Sequence, residues 1–180
     1  MLDPLFGYSL SAAFALLFAQ AALQKWRSLS HFEAVVSAYR LSSGAVTAML
    51  KWLVPSIESG VAVALLFSTS RSLGVIVGAA VLVLYAGGIA LNLKRGRVDL
   101  DCGCAGARDR RPIAPWMVVR NVVMAVCLLP LGVAWSTRTL DAIDWLSIGG
   151  ALVIIGLLYL TLDRLFGQVM PAVRRLKVVS

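Results

Sequence analysis

The chain has 180 residues, 59% hydrophobic and only 14% charged, with a mean hydropathy of +0.85. Soluble domains carry roughly 25% charged residues, so this composition sets aside the conventional soluble enzymes and makes lipid the main solvent. The formal net charge of +8 invites a nucleic-acid reading, but Lys and Arg also collect on the cytoplasmic side of membrane proteins, and no nucleic-acid partner is expected.

Crossing ~30 Å of hydrocarbon takes about 20 apolar residues. Five segments meet that length: Leu5–Leu23, Ala45–Phe67, Leu73–Leu93, Ile113–Trp135 and Trp145–Leu162. In hydrocarbon each backbone amide needs an internal partner, which leaves helices or a closed barrel. The runs do not alternate as barrel strands would, so the expected fold is all-α. It is a single integral membrane helical bundle over residues 1–180, with four to five transmembrane helices.

The first segment ends in "FAQAA", which resembles a signal-peptide cleavage site. However, no Lys or Arg precedes Lys25 and the apolar run exceeds the roughly 7–15 residues of a signal core, so it reads as a spanning helix. In the polar stretch that follows, Phe32, Val35, Val36 and Tyr39 recur at helical spacing, as in a short helix lying on the membrane surface. The second segment carries Lys51, then Pro55, which kinks a helix, and Glu58, a charge expensive in lipid and therefore a functional candidate. Lys51 lies two turns before Glu58 on roughly the same face. Ser68–Ser72 is a tight link to the third segment.

The next connection, residues 94–112, contains "VDLDCGCAG" with Cys102 and Cys104. In extended backbone two such residues are nearly 7 Å apart, so a disulfide requires the turn that Gly103 permits. The small ring would be strained and therefore labile, and a loop this short gives little denatured-state benefit, which favours exchange over stapling. Lys94, Arg95, Arg97, Arg108, Arg110 and Arg111 surround the pair, and positive charge lowers a thiol pKa. Two alternatives stay open: incidental small residues in a Gly-rich turn, or a soft-metal carrier using two thiolates. With His31 as the only histidine and no second Cys pair, a closed zinc site is not expected.

About two turns into the fourth segment come Arg120 and Asn121; a structural Glu58–Arg120 pair locking the bundle is the plain reading of the two charges. Cys127, on an apolar helix, reads as a small core residue. Trp26, Trp116, Trp135 and Trp145 fall at segment ends, as interface anchors do. No phosphate loop, hydrolase elbow, metalloprotease motif or complete catalytic triad is visible.

With five spans, the cysteine loop, the first long loop and the C-terminal tail share a face. It holds Lys25, Arg27 and Arg40, the basic residues around the cysteines, and Arg174, Arg175 and Lys177, against Arg71 and Arg138 opposite. The positive-inside bias puts the cysteine face and C-terminus inside and the N-terminus outside.

"KW" at Lys25, "WLVPSIESG" around Glu58, "NLKRGRVDLDCGCAG" from Asn92 and "RNVVM" from Arg120 resemble, in order and spacing, the methylamine utilisation protein MauE family. Ala105 stands where that family typically has an aromatic. The resemblance implies a multi-pass protein of the bacterial inner membrane. Its relatives serve maturation of the disulfide-rich, periplasmic small subunit of methylamine dehydrogenase, beside a thioredoxin-like partner, MauD. Carried over residue by residue, the implied site is Lys25, Glu58, Cys102, Cys104, Arg120 and Asn121. The expected function is thiol–disulfide exchange. In it Arg120 stabilises a thiolate or a bound membrane quinone, Asn121 orients it, and Glu58 relays protons or anchors Arg120. The quinone rests on chemistry alone: two electrons must leave the pair and the chain shows no redox cofactor motif. A non-enzymatic assembly or transport factor is the alternative. A periplasmic client wants the cysteines outside, whereas the charge bias puts them inside. Either the pair moves electrons across the membrane in the reductive direction from a cytoplasmic donor, or one segment does not span, or this basic loop overrides the bias.

Overall fold

The computed structural model describes residues 3–40, 44–102, 112–133, 135 and 138–166. Six α-helices follow in chain order: α1 Pro4–Arg27, α2 Leu29–Ala38, α3 Gly44–Leu66, α4 Arg71–Lys94, α5 Pro115–Leu128 with a 3-10 turn Leu129–Gly132, and α6 Ala142–Arg164. All but α2 are long and apolar enough to cross a membrane when the 3-10 turn is counted with α5. Among the described residues the only extended pairing is an isolated antiparallel bridge between Asp101 and Pro112. The molecule is a multi-pass membrane helical bundle.

Local chemistry sets the helix ends. Asp3 caps α1, its carboxylate accepting from the Leu5 amide at 2.8 Å, and Pro4 opens the first turn where a missing N–H costs nothing. Lys25 and Arg27 sit in the last turn of α1, facing its negative dipole end. α4 stops at Gly96, whose φ of +71° suits glycine; its amide donates to Leu93 O and the Arg97 amide to Asn92 O, the pairing of a Schellman cap. At α6, Asp141 and Asp144 form a capping box, and Arg138 donates to both Asp144 carboxylate oxygens at 2.8 and 3.2 Å.

α3 packs between α1 and α4, α5 lies against α4, and α2 lies across the start of α3. Phe14, Phe18, Leu65, Leu82, Leu128 and Leu131 fill the space where α1, α3, α4 and α5 meet. Close approach depends on small residues: a Cβ on Gly74 would stand 3.2 Å from the Leu65 amide nitrogen, and one on Gly78 3.0 Å from Leu128. In lipid, where apolar contact alone does not drive helices together, such approaches supply the packing energy. α6 rests on α1, and Ile148 is its one buried residue. Leu84 and Leu146, 72% and 78% exposed, point outward as lipid-facing side chains do.

The short helix anticipated after the first segment is α2, and its Phe32 and Val35 are buried against the bundle. One boundary differs. The fourth segment, expected to run to Trp135, leaves α geometry at Leu128. Pro130 accounts for the break in the ladder, since it has no N–H to donate to the preceding turn; Leu129 before it keeps αR dihedrals, and the chain tightens into the 3-10 turn before leaving helix.

Candidate functional site

The end of the bundle that carries α2 and the cysteine loop holds most of the buried polar side chains. Arg97, just past the cap of α4, donates to Ala38 O at 2.8 Å and to Asn92 Oδ1 at 3.2 Å, tying the end of α2 to the end of α4. Asn92 is fully buried and its amide donates to Gly88 O. Beyond it the Ile113 amide donates to Leu100 O at 2.9 Å and His31 Nε2 lies 3.2 Å from Asp101 Oδ2. The base of the cysteine loop is therefore pinned to α2 and to its own return strand. Cys102 is half-buried against the cluster of Ile89, Ile113 and Met117. Cys104 lies outside the described residues, as do Ala105, Arg108, Arg110, Arg111 and the basic tail at Arg174, Arg175 and Lys177.

Below Cys102 is a buried ion pair. Lys25, from the last turn of α1, places Nζ 2.8 Å from Glu58 Oε1 on α3, with the side chains 4% and 1% exposed. Tyr85 on α4 donates its hydroxyl to the same oxygen at 2.6 Å. The Lys25 ammonium also lies 5.4 Å from the ring centroids of Phe32 and Tyr85, within cation–π range. Three spanning helices thus meet on one carboxylate oxygen, and α2 reaches the ammonium through Phe32. The second oxygen, Glu58 Oε2, is buried and has no hydrogen-bond partner among the described residues.

Arg120, on α5, reaches Asp163 near the end of α6 at 2.6 Å, with its guanidinium carbon 5.0 Å above the Trp116 ring. Asn121 is 3% exposed, and its side-chain nitrogen has no partner among the described residues.

A cavity of about 260 Å³ joins these groups. Lys25, Glu58, Cys102, Arg120 and Asn121, five of the six residues singled out above, line it together. A second, more apolar cavity of about 340 Å³ lies under α2, and Lys25, Tyr85 and Cys102 line both. Among the described residues no group of three or more His, Cys, Asp or Glu side chains gathers as a metal site would.

Two sequence expectations are corrected, the Glu58–Arg120 pair and the core position of Cys127. Glu58 does not pair with Arg120: Lys25 reaches Glu58 from the adjacent helix, and Arg120 is neutralised by Asp163. Lys51 is not a partner of Glu58 either; seven residues of helix set the two about 10 Å apart along the axis, and Lys51 instead binds Glu33 of α2 at 2.8 Å. Cys127, expected as a small core residue, is instead exposed on the flank of the bundle, where it lines a separate groove between helices that do not close over it. Tyr85, Gln24 and Asp163 also line the cavity and were not singled out from the sequence. The available signal for Tyr85 was a phenol in the middle of an apolar segment, a group that needs a hydrogen-bond partner when buried. Asp163 stands one residue beyond the expected end of its segment.

Comparison with known proteins points one way. The family model described as methylamine utilisation protein MauE matches residues 4–136. A methylamine utilization protein MauE of Methylophilus methylotrophus is 34% identical over 92% of this chain and 88% of its own length. The protein of the same name from Paracoccus denitrificans is 30% identical over 73% of this chain and 70% of its own, and that from Methylorubrum extorquens 30% identical over 74% and 70%. No solved structure matches the chain.

Proposed function

The chain belongs to the methylamine utilisation protein MauE family, and from that membership we propose that it is a membrane thiol–disulfide redox protein of the bacterial inner membrane that serves maturation of the methylamine dehydrogenase small subunit. Cys102 and Cys104 exchange electrons with a thioredoxin-like partner of the MauD type. The observation that carries this reading is the position of Cys102: half-buried at the mouth of a cavity whose wall also holds Lys25, Glu58, Arg120 and Asn121. Fixed positive charge favours the thiolate, the species that exchanges. Lys25 and Arg120 bring positive ends into that wall, each paired with a carboxylate at 2.8 and 2.6 Å, so the effect acts through the orientation of two ion pairs and not through net charge. The loop base anchored by Arg97 and by the Asp101–Pro112 bridge holds Cys102 at that mouth.

The test is complementation with a Cys102→Ser/Cys104→Ser variant in a strain that matures the small subunit. Loss of the mature, disulfide-bonded subunit with normal membrane levels of the variant is expected. Full maturation without either thiol would leave only an assembly or transport role. Labelling of intact cells with a membrane-impermeant thiol reagent, before and after reduction, reports sidedness: the charge bias favours a cytoplasmic loop, N-terminus out and C-terminus in, whereas a periplasmic client calls for labelling from outside.

A further inference from the structure

The cavity does not end at the polar residues. Leu17, Gln20, Met124, Tyr159 and Leu160 line it and also line a groove of about 630 Å³ between α1, α5 and α6. That groove is apolar along its length and runs past Leu10, Phe14, Val123, Leu152 and Gly156. Its rim residues Leu16, Leu23 and Val123 are exposed on the flank that lipid covers. The groove therefore adjoins the cavity that Cys102 lines, with five side chains common to both and its other side facing hydrocarbon.

The polar end restricts what the groove and cavity admit. Its four charges cancel in two close pairs, Lys25 with Glu58 and Arg120 with Asp163. A charged lipid headgroup would find no net counter-charge there, so a neutral head fits better. Buried polar atoms in the cavity wall that lack hydrogen-bond partners among the described residues include the Asn121 side-chain nitrogen, a donor, and Gln24 Oε1 and Glu58 Oε2, both acceptors. A head that accepts a hydrogen bond in one state and donates in the other satisfies this set in both. The cavity is slightly smaller than the ~300–1,000 Å³ usual for small-molecule sites, and the groove extends it.

We propose that the groove and cavity form a binding site for an isoprenoid quinone, tail between α1 and α6 and ring beside Asn121. This rests on the thiol–disulfide reading for its chemistry. The Cys102 and Cys104 thiols lose two electrons and two protons and form one S–S bond; the quinone takes up both electrons and both protons and leaves as the hydroquinone. The quinone carbonyl accepts from the Asn121 amide, and the hydroquinone hydroxyl donates to Gln24 Oε1 or Glu58 Oε2.

The test uses the full chain in phospholipid nanodiscs and an azido-substituted ubiquinone analogue as photo-crosslinker. Saturable labelling of peptides from α1, α5 and α6 is expected, competed by decylubiquinone and not by dodecane or added phospholipid. Gly156 lines the groove and a Cβ on it meets nothing within 4 Å, so Gly156→Trp places an indole in the groove and cuts labelling at least tenfold. Gly150→Trp, on the same helix but outside the groove, leaves it unchanged. Asn121→Leu weakens decylubiquinone competition about tenfold, the loss of roughly one hydrogen bond. Labelling that does not saturate, that phospholipid competes equally, or that survives both Gly156→Trp and Asn121→Leu overturns the site. Labelling is repeated on the Cys102→Ser/Cys104→Ser variant, which keeps the groove. Normal binding there, with no thiol oxidation when decylubiquinone is added anaerobically to the wild-type dithiol, would spare the site and defeat the redox reading.

Discussion

Removing one member of the Lys25–Glu58 pair tests whether the pair holds the bundle together. Lys25→Met takes the ammonium from Glu58 and leaves a carboxylate that is 0% exposed with only the Tyr85 hydroxyl, 2.6 Å away, as donor. Glu58→Leu strands the Lys25 ammonium between Phe32 and Tyr85. Breaking a buried pair by deleting one partner costs about 3–5 kcal/mol, because the remaining charge has no compensation. For a chain of this size that is roughly 6–20 °C in the unfolding midpoint. Replacing both residues removes the stranded charge, so Lys25→Met/Glu58→Leu should be more stable than either single variant, with a coupling energy of about 3 kcal/mol between the sites. The assay is unfolding in mixed micelles, followed by far-ultraviolet circular dichroism over the full double-mutant cycle. Single-variant losses that simply add in the double variant would refute the reasoning, since they would mean the two charges do not depend on each other. Tyr85→Phe, which deletes only a hydroxyl on the shared oxygen, should cost about 1.5–3 kcal/mol by the same measurement.

At the α5–α6 contact, Arg120→Asp and Asp163→Arg should each destabilise, and the two together should recover stability if the 2.6 Å pair sets the spacing of these helices; thermal midpoints of the three proteins decide it. At the far end, a Cβ on Gly7 would lie 2.7 Å from the Trp135 ring, so Gly7→Ala should displace that ring at a cost of about 1–3 kcal/mol, read as an altered near-ultraviolet dichroism with a lowered midpoint. Arg97→Ala removes donors to Ala38 O and Asn92 Oδ1 and should raise the alkylation rate of Cys102 severalfold while leaving the midpoint of the spanning core within a few degrees; an unchanged rate would show that the loop base is held elsewhere.

The fold was legible because the bilayer imposes one rule, internal satisfaction of every amide, on any apolar run of sufficient length. The short helix was also readable, since Phe32 and Val35 keep helical spacing in a polar stretch. Pairing was harder to read. Lys51 and Glu58 share a helix face, but the contact that forms, between Lys25 and Glu58, depends on how α1 packs against α3, which no periodicity within a segment records. The same holds for Arg120, whose partner arrives from α6, and for Tyr85, whose role depends on where its hydroxyl points. Charges inside apolar segments identified the residues; helix packing decided their partners. Cys104 lies outside the described residues, so its place beside Cys102 rests on the two-residue spacing alone.

The helix that closes the groove is also the one least committed to the bundle. Ile148 is the single buried residue of α6, and the family match ends at residue 136, before this helix begins. The buried core made by α1, α3, α4 and α5 does not draw on it. During membrane insertion those four helices have the contacts to assemble first, with α6 docking afterwards on α1. Until it docks, Arg120 is without Asp163 and the cavity lies open to lipid along its length. Arrival of the last helix is then a maturation step of the protein itself, and a chain terminated before Ala142 should insert and fold yet lack a closed site.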